Sequence, residues 1–586
     1  MSSSNLHARA DLQELAKAHF NPLSNSEIKF MLAAEKGKIA YCGPSERDDD
    51  SNNDPTLSDD WKPDRYIRAE LLRWLCVDRD AINRVDPRGV QAHAAKITGK
   101  LDLSYVSVPF FLCLAHCRFL DDVNLHFIEI PAIDLTRSRL PSLYASYARV
   151  KGTMTLQGLQ ANGVVRLYGA RIDGNLECNG GKFRNPANID ANHSGTALHA
   201  EGAKVAGHIF LGDGFVAEGE VRLFAAEIGR NLECGGGKFQ NPVHDGVDSS
   251  GMALNAEHAK VGGCVHLRKG FVSEGEVRLL GAEIGGNLDC EGGEFNVPLK
   301  EGVERMALDA ESAVVTGSVY LRKEFSAKGK VRLYHARIGR NLECKSATFE
   351  SLDLSHASAA AILDDEPSWP QKGKLYLDGF TYGRISDGPA SAEERLEWLA
   401  RHDSFSRRPY RQFAKVLREA GDDVGARRVC VEMERRALAE QGWLFRPVSY
   451  LLRATVGYGY FSLRALWWIA GLFALGWVIY YQGYVAGSIV PTDKDAYSRL
   501  VTYNTVPAYY QTFHAAAYSL ENSFQLVRLG VQDKWAPGPG AQGVSRSHHW
   551  WTSPLFLVWF RWGQICIGWL LATLFVGGVT GIIRRE

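Results

Sequence analysis

The phrase VRLYGARIDGNLECNGGKF, beginning at Val165, returns three times: as VRLFAAEIGRNLECGGGKF at Val221, VRLLGAEIGGNLDCEGGEF at Val277 and VRLYHARIGRNLECKSATF at Val331. So long a phrase at a nearly fixed spacing restricts the chain to a repeat architecture. Each unit has too little core to fold alone and buries its apolar residues against its neighbours. A second phrase lies between the copies: LHAEGAKVAGHIFLGDGF at Leu198, LNAEHAKVGGCVHLRKGF at Leu254 and LDAESAVVTGSVYLRKEF at Leu308. Its skeleton is the same, with Leu254, Ala256, Val261, Val265, Leu267 and Phe271 matching Val277, Leu279, Ile284, Leu288, Cys290 and Phe295. The structural unit is therefore expected to be half the long repeat.

Small residues stand two places before several apolar positions, as Ala282 does before Ile284, and the inward steps fall about five residues apart. This pattern resembles pentapeptide-repeat proteins over Ile97 to Ile385. The resemblance implies a four-sided parallel β-solenoid, one coil in about twenty residues, although this chain carries an extra residue in one side. Roughly eleven coils spaced by strand pairing would make a rod of about 50 Å. The fold class expected is mainly β with α: a solenoid at 96–386, a helical N-terminal cap at 1–95, a helical hairpin at 391–445 and a membrane domain at 446–586.

Eleven cysteines raise the question of disulfides or metal. Cys178, Cys234, Cys290 and Cys344 share one repeat position, and Leu211, Leu267 and Leu321 occupy it in the intervening coils. Two coils separate these sulfurs by about 10 Å, beyond the reach of a disulfide or a shared zinc. They are read as core, and so are Cys113 and Cys117 of CLAHC. No metal site and no cofactor are expected, and a reducing compartment fits this cysteine usage.

Two columns of charge run along the repeat: Arg166, Arg222, Arg278 and Arg332, and Glu177, Glu233, Asp289 and Glu343. Their neighbours alternate apolar, so both columns point outward, as a solvated ladder or as a docking stripe for a protein partner. Inserts such as RNPANIDANHSGTA and QNPVHDGVDSSGMA leave the rod on one edge, where a binding surface can form. Lys+Arg 67 against Asp+Glu 67 gives a net charge of +0, which offers no ground for expecting nucleic acid as a partner.

In the N-terminal cap, a helix is expected from Ser26, closing at Gly43, then an acidic loop ERDDDSNNDPTLSDD, then a helix over Arg65 to Val77. The start MSSSNLHARADLQELAKAHF has no apolar run of the kind a signal peptide carries. Beyond Ile385 the composition turns to helix formers, in SAEERLEWLARH and PYRQFAKVLREAGDDVGARRVCVEMERRALAEQG, broken at Gly421. The phrase YRQFAKVLREAGDDVGARRV resembles a tetratricopeptide-type helix pair, here read as a rigid connector.

Ala465 to Val485 and Trp562 to Ile583 contain no charge and are each long enough to cross a bilayer. Arg427, Arg428, Arg435, Arg436, Arg446, Arg453 and Arg464 precede the first, and Arg584 and Arg585 follow the second. That bias puts both termini and the rod in the cytoplasm of a bacterium, with the segment 486–554 periplasmic. Within it, VPAYYQTFHAAAYSLENSFQLVRLG reads as an amphipathic helix ending near Gly530. A span, a short helix and a second span form the order of parts in two-span ion channels. In that reading Glu521, Asn522, Gln525 and Arg528 are candidate pore or loop-helix residues, Glu521 forming a cation ring in a homo-oligomer; the alternative is an interfacial helix lying on the membrane. Gly577, Gly578 and Gly581 allow close packing. The filter-like TVGYG at Thr455 to Gly459 precedes both spans and is read as a bend, with Tyr458, Tyr460 and Trp467 at the interface. Arg561 is expected to snorkel.

The phrases RYIRAELLRWLC, ITGKLDL, YRQFAKVLREAGDDVGARRV, AAYSLENSFQLVRLG and GGVTGIIRR together resemble a family of uncharacterised bacterial membrane proteins often labelled membrane-associated oxidoreductases. The label implies redox activity, but the chain has no GxGxxG between a strand and a helix, no CxxC, no HExxH and no GxSxG. The expected function is a non-enzymatic inner-membrane scaffold or sensor, in contact with lipid and with a protein partner through the solenoid. An oligomeric pore gated by the solenoid is the alternative.

Overall fold

The computed structural model describes residues 11–186, 195–241, 251–297, 304–440, 446–524, 526–539 and 549–580. The two repeat phrases pair in alternation and in parallel: Val165 with Leu198, Leu198 with Val221, Val221 with Leu254, Leu254 with Val277, Val277 with Leu308, and Leu308 with Val331. Half the long repeat is thus one coil. A typical coil places Lys204–Val205 and Ile209–Phe210 in one sheet, then Val216–Glu218 and Glu220–Arg222 in the other. Among the described residues, stacking builds two parallel sheets of 22 strands each, a solenoid-like arrangement.

The strands are short because each coil turns four times. One corner places Tyr105, Phe127, Tyr147, Gly169 and Gly202 at φ between 55° and 62°, a conformation costing a non-glycine residue about 1–2 kcal/mol. Inside, each side contributes one column. Phe183, Phe215, Phe239, Phe271, Phe295, Phe325 and Phe349 form a buried ladder, with successive ring centroids 5.2–5.5 Å apart. Each such ring is worth roughly 1.5–3 kcal/mol of burial, which sets the inward register. The cysteine column Cys178, Cys234, Cys290 and Cys344 is buried among these side chains, and burial pushes the thiols up from their ordinary range.

The N-terminal segment is partly recruited into the sheets, which the helical-cap expectation did not include. Helix α1 is Leu12–His19, and α2 is Asn25–Lys36, whose cap is Ser24 in a capping box with Glu27 rather than Ser26. It ends at Gly37 (φ 60°), short of Gly43, and the chain then adds Ile39–Tyr41 to Val90–His93 as a parallel strand. Likewise Tyr66–Arg68 is a strand paired to Lys96–Thr98, and helix α3 begins only at Ala69, ending at Val77 before the short α4, Arg79–Ile82.

Helix α5, Ala392–Ala400, closes the other end of the stack. Its Arg395 is fully buried and donates to both carboxylate oxygens of Asp364 at 2.7 and 2.8 Å, under Trp369 and Trp398. Two compact units, Met1–Gln412 and Phe413–Glu586, divide the chain within α6, Arg407–Glu419.

The second unit contains α7, Asp423–Glu440, and α8, Arg446–Thr455. Gly457, Tyr458 and Gly459 all have positive φ and turn the chain into α9, Arg464–Val485. TVGYG is thus a bend, although Tyr458 is buried within the protein rather than displayed at an interface. Beyond α9, Ile489–Pro491 pairs antiparallel with Trp535–Pro537, enclosing α10 (Lys494–Tyr503), α11 (Ala515–Ser523) and α12 (Val531–Lys534). The loop helix therefore ends at Ser523, well before Gly530. Helix α13 runs Pro554–Val579, starting earlier than Trp562 because Ser553 caps it and Pro554 takes its first position.

Candidate functional site

Among the described residues, α9 and α13 are the two helices long and apolar enough to cross a membrane. Most of each helix is uncovered: Trp467, Leu475, Trp477 and Val478 on α9, and Trp559, Trp562, Trp569 and Leu570 on α13, are 45–81 % exposed. A core helix of a water-soluble fold would have these side chains inside.

The short helix α11 packs against both, and it meets them in the middle third of each. Ser519 Oγ donates to Phe473 O of α9 at 2.8 Å. Gln564 of α13 is buried; its Nε2 donates to Ser523 Oγ at 2.7 Å and Ser519 Oγ at 3.1 Å, and its Oε1 accepts from Tyr480 Oη at 2.7 Å. Two glycines permit the approach. A Cβ at Gly476 would stand 2.3 Å from Gln564 Nε2 and 2.4 Å from Ser519 Oγ, and one at Gly568 would stand 2.4 Å from Ser523 O. Similarly, Gly578 lets α13 close on Ser462. Interhelical hydrogen bonds and small residues are the means by which helices associate in lipid. The sequence reading passed over Gln564, whose signal was an amide in an otherwise apolar segment.

Glu521 is buried, and its carboxylate accepts the backbone N–H groups of Leu529, Gly530 (2.5 Å) and Gln532 (2.7 Å). Its charge thus holds the return loop after α11 in place. Asn522 is buried and donates to Tyr518 O at 2.8 Å. Arg528 is exposed on that loop, beside exposed Leu526 and Leu529. Gln525 lies outside the described residues, as does Gly581. Arg561 has its guanidinium 5.6 Å from the Tyr518 ring and its Nη2 3.5 Å from Gln532 O. It sits inside α13 because that helix begins at Pro554.

On the coil stack, the charge columns face outward but are largely paired within the stack. Arg222 and Arg278 meet Glu220 and Glu276 at 3.1 and 2.7 Å, and Arg332 meets Asp309 at 2.9 Å; Arg166 is exposed. Glu177 and Glu233 accept from Asn175 and Asn231, while Asp289 and Glu343 are buried against Arg268 and Arg322. The central parts of the inserts, 187–194, 242–250 and 298–303, lie outside the described residues, so the expected insert edge does too.

Two features of the stack were not anticipated. The first is an open groove of about 500 Å³ lined by Tyr105, Phe127, Tyr147, Arg149, Arg171 and Lys204. Tyr105 stacks on Phe127 at 5.0 Å and Phe127 on Tyr147 at 4.9 Å, all three exposed and in the left-handed region. Bulky residues rarely adopt that conformation, and Gly169 next in the corner leaves room for the Tyr147 ring, 2.7 Å from where its Cβ would stand. The second is a cluster of Asp48, His93 and His116, brought together from the acidic loop and two successive coils. Burial lowers the pKa of both histidines.

Comparison of the chain with protein-family models, with curated proteins and with solved structures finds no match. The functional reading therefore rests on these geometries.

Proposed function

We propose that the second unit is a two-span membrane domain with α11 as a re-entrant helix, that homo-oligomerisation builds a pore from it, and that the coil stack is its cytoplasmic sensor. The stack in this reading is a four-sided β-solenoid of the pentapeptide-repeat kind, with both chain termini in the cytoplasm of a bacterium. One observation carries the proposal. If α9 and α13 cross the bilayer, a helix hydrogen-bonded to Phe473 and Gln564 stands at mid-depth rather than at the headgroups. Non-helical backbone at that depth is tolerated where it is buried in protein or lines a water-filled path. The loop after Ser523, braced by Glu521, is that backbone.

This placement changes the role expected of Glu521. Its carboxylate is committed to backbone N–H groups, so the exposed charge presented by the loop is that of Arg528. A ring of Arg528 side chains favours anions. The strained aromatic groove from Tyr105 to Lys204 supplies the solenoid with a recognition surface, consistent with strain concentrating at functional positions.

The test is current across a planar bilayer holding the purified full-length oligomer, beside Arg528→Gln. Discrete openings that prefer anions, with the preference lost in the variant, are expected. A silent bilayer with oligomer demonstrably inserted removes the pore and leaves a tethered scaffold or sensor.

A further inference from the structure

We propose that Asp48, His93 and His116 form a binding site for a divalent transition-metal ion of the zinc class, which fastens the acidic N-terminal loop to the first coils. The candidate ligand atoms of the three residues lie within 4.8 Å of one another. Asp48 Oδ1 is 3.1 Å from His93 Nε2 and 4.0 Å from His116 Nε2, and the two imidazole rings are 4.6 Å apart. These separations suit three ligands that each stand about 2.0–2.2 Å from one ion.

Each ligand is held by the fold rather than by a flexible segment. His93 ends the strand Val90–His93, in register between Tyr41 and Ala115. His116 follows the next strand at a corner, φ 53°, with its N–H donated to Thr136 O at 2.8 Å. Both rings are about 95 % covered. The loop bearing Asp48 is itself braced: Asp50 accepts from Ser45 Oγ at 2.6 Å and from Asn52 N at 2.9 Å, and buried Asn53 donates to Ser45 O and Arg47 O, each at 3.0 Å. Arg137 Nη1 reaches Asp48 O at 3.4 Å from the stack.

A plain His–Asp hydrogen bond does not account for the cluster. Despite the 3.1 Å contact, whose geometry is not that of a hydrogen bond, neither ring nitrogen of His93 has a hydrogen-bond partner among the described residues. A buried polar group without a partner costs about 1–3 kcal/mol, and a metal ion held by His93 Nε2, His116 Nε2 and the Asp48 carboxylate would supply one of the two partners His93 lacks. Two imidazoles and one carboxylate are ligands of intermediate hardness that suit zinc and its neighbours better than calcium or magnesium. Three protein ligands leave a coordination position for water.

The experiment is zinc titration of the full-length protein by calorimetry, with X-ray absorption of the loaded protein and trypsin cleavage after Arg47 as a second readout. One site with two imidazole nitrogens and one carboxylate oxygen is expected, and zinc should slow cleavage at Arg47. His116→Ala should weaken binding by more than the roughly 10–100-fold lost when an outer-shell partner is removed. Asp48→Asn, on an exposed residue that leaves the core intact, should weaken it and abolish the protection. Wild-type affinity in both variants, sulfur in the absorption spectrum, or cleavage indifferent to zinc would each overturn the site. These readouts do not depend on conduction, so the site and the pore stand or fall separately.

Discussion

The two units arrange polarity in opposite senses. In the coil stack the inside is aliphatic and aromatic, from Val165 to Phe349, and exposed charge pairs such as Lys204 with Glu227 stand on the outer faces of the strands. In the second unit Trp467, Trp477, Trp569 and Leu570 face outward, while Gln564, Ser519, Ser523, Glu521 and Asn522 are inside. The difference teaches which solvent each unit is built for. Water rewards the first arrangement; the second is favoured where the surroundings are as apolar as the outward side chains and polar groups can find partners only with one another.

The largest effect is expected where the stack breaks its own rule by burying a charge. Arg395→Ala leaves Asp364 buried without its partner and should cost about 3–5 kcal/mol, read from denaturant unfolding of the full chain. A loss under about 1 kcal/mol would mean that the α5 end relaxes to admit water.

Next comes a matched pair of surface substitutions that addresses the comparison directly. Leu570→Arg, on an exposed face of α13, should cost about 2.5–3.5 kcal/mol of insertion if that face meets lipid. Val314→Arg, on an exposed face of the stack, should stay within about 0.5 kcal/mol. Measured by glycosylation-type insertion assays and by thermal unfolding respectively, equal small effects would abolish the contrast between the units.

The smallest effect is a pH dependence confined to the N-terminal end of the stack. Burial by itself would raise the Glu27 carboxyl, but hydrogen bonds from Arg68 and from the Ser24 N–H outweigh it and hold the group below its ordinary range. Folded Glu27 thus binds fewer protons than unfolded Glu27. Its stabilising contribution is full above the unfolded pKa of about 4.3 and is lost as pH falls through the lower folded value. Glu27→Gln should flatten the acid side of the thermal-midpoint profile, and an unchanged profile would place the acid sensitivity elsewhere.

How much of this was legible depended on how local the information was. The coil could be read because its register is written in the repeat: Leu198 falls between Val165 and Val221 in both sequence and space. The strand Ile39–Tyr41 was not legible, since a three-residue strand carries almost no periodicity and owes its existence to the free edge of Val90–His93. For the same reason α13 outran its uncharged stretch: the helix tolerates Arg561 once Tyr518 and Gln532 receive it.

By itself, the sequence determined the repeat, its apolar columns, the burial of Cys117 and of the column Cys178, Cys234, Cys290 and Cys344, and the two long apolar helices, because each follows from the spacing of side chains along one element; Cys113, also read as core, is only half-buried. Only the tertiary structure decided that α11 sits between α9 and α13, that Glu521 braces a loop rather than standing open, and that Asp48 meets His93 and His116. Those relations join residues far apart in the chain, and they are fixed by which surfaces pack together, a quantity no single stretch of sequence contains.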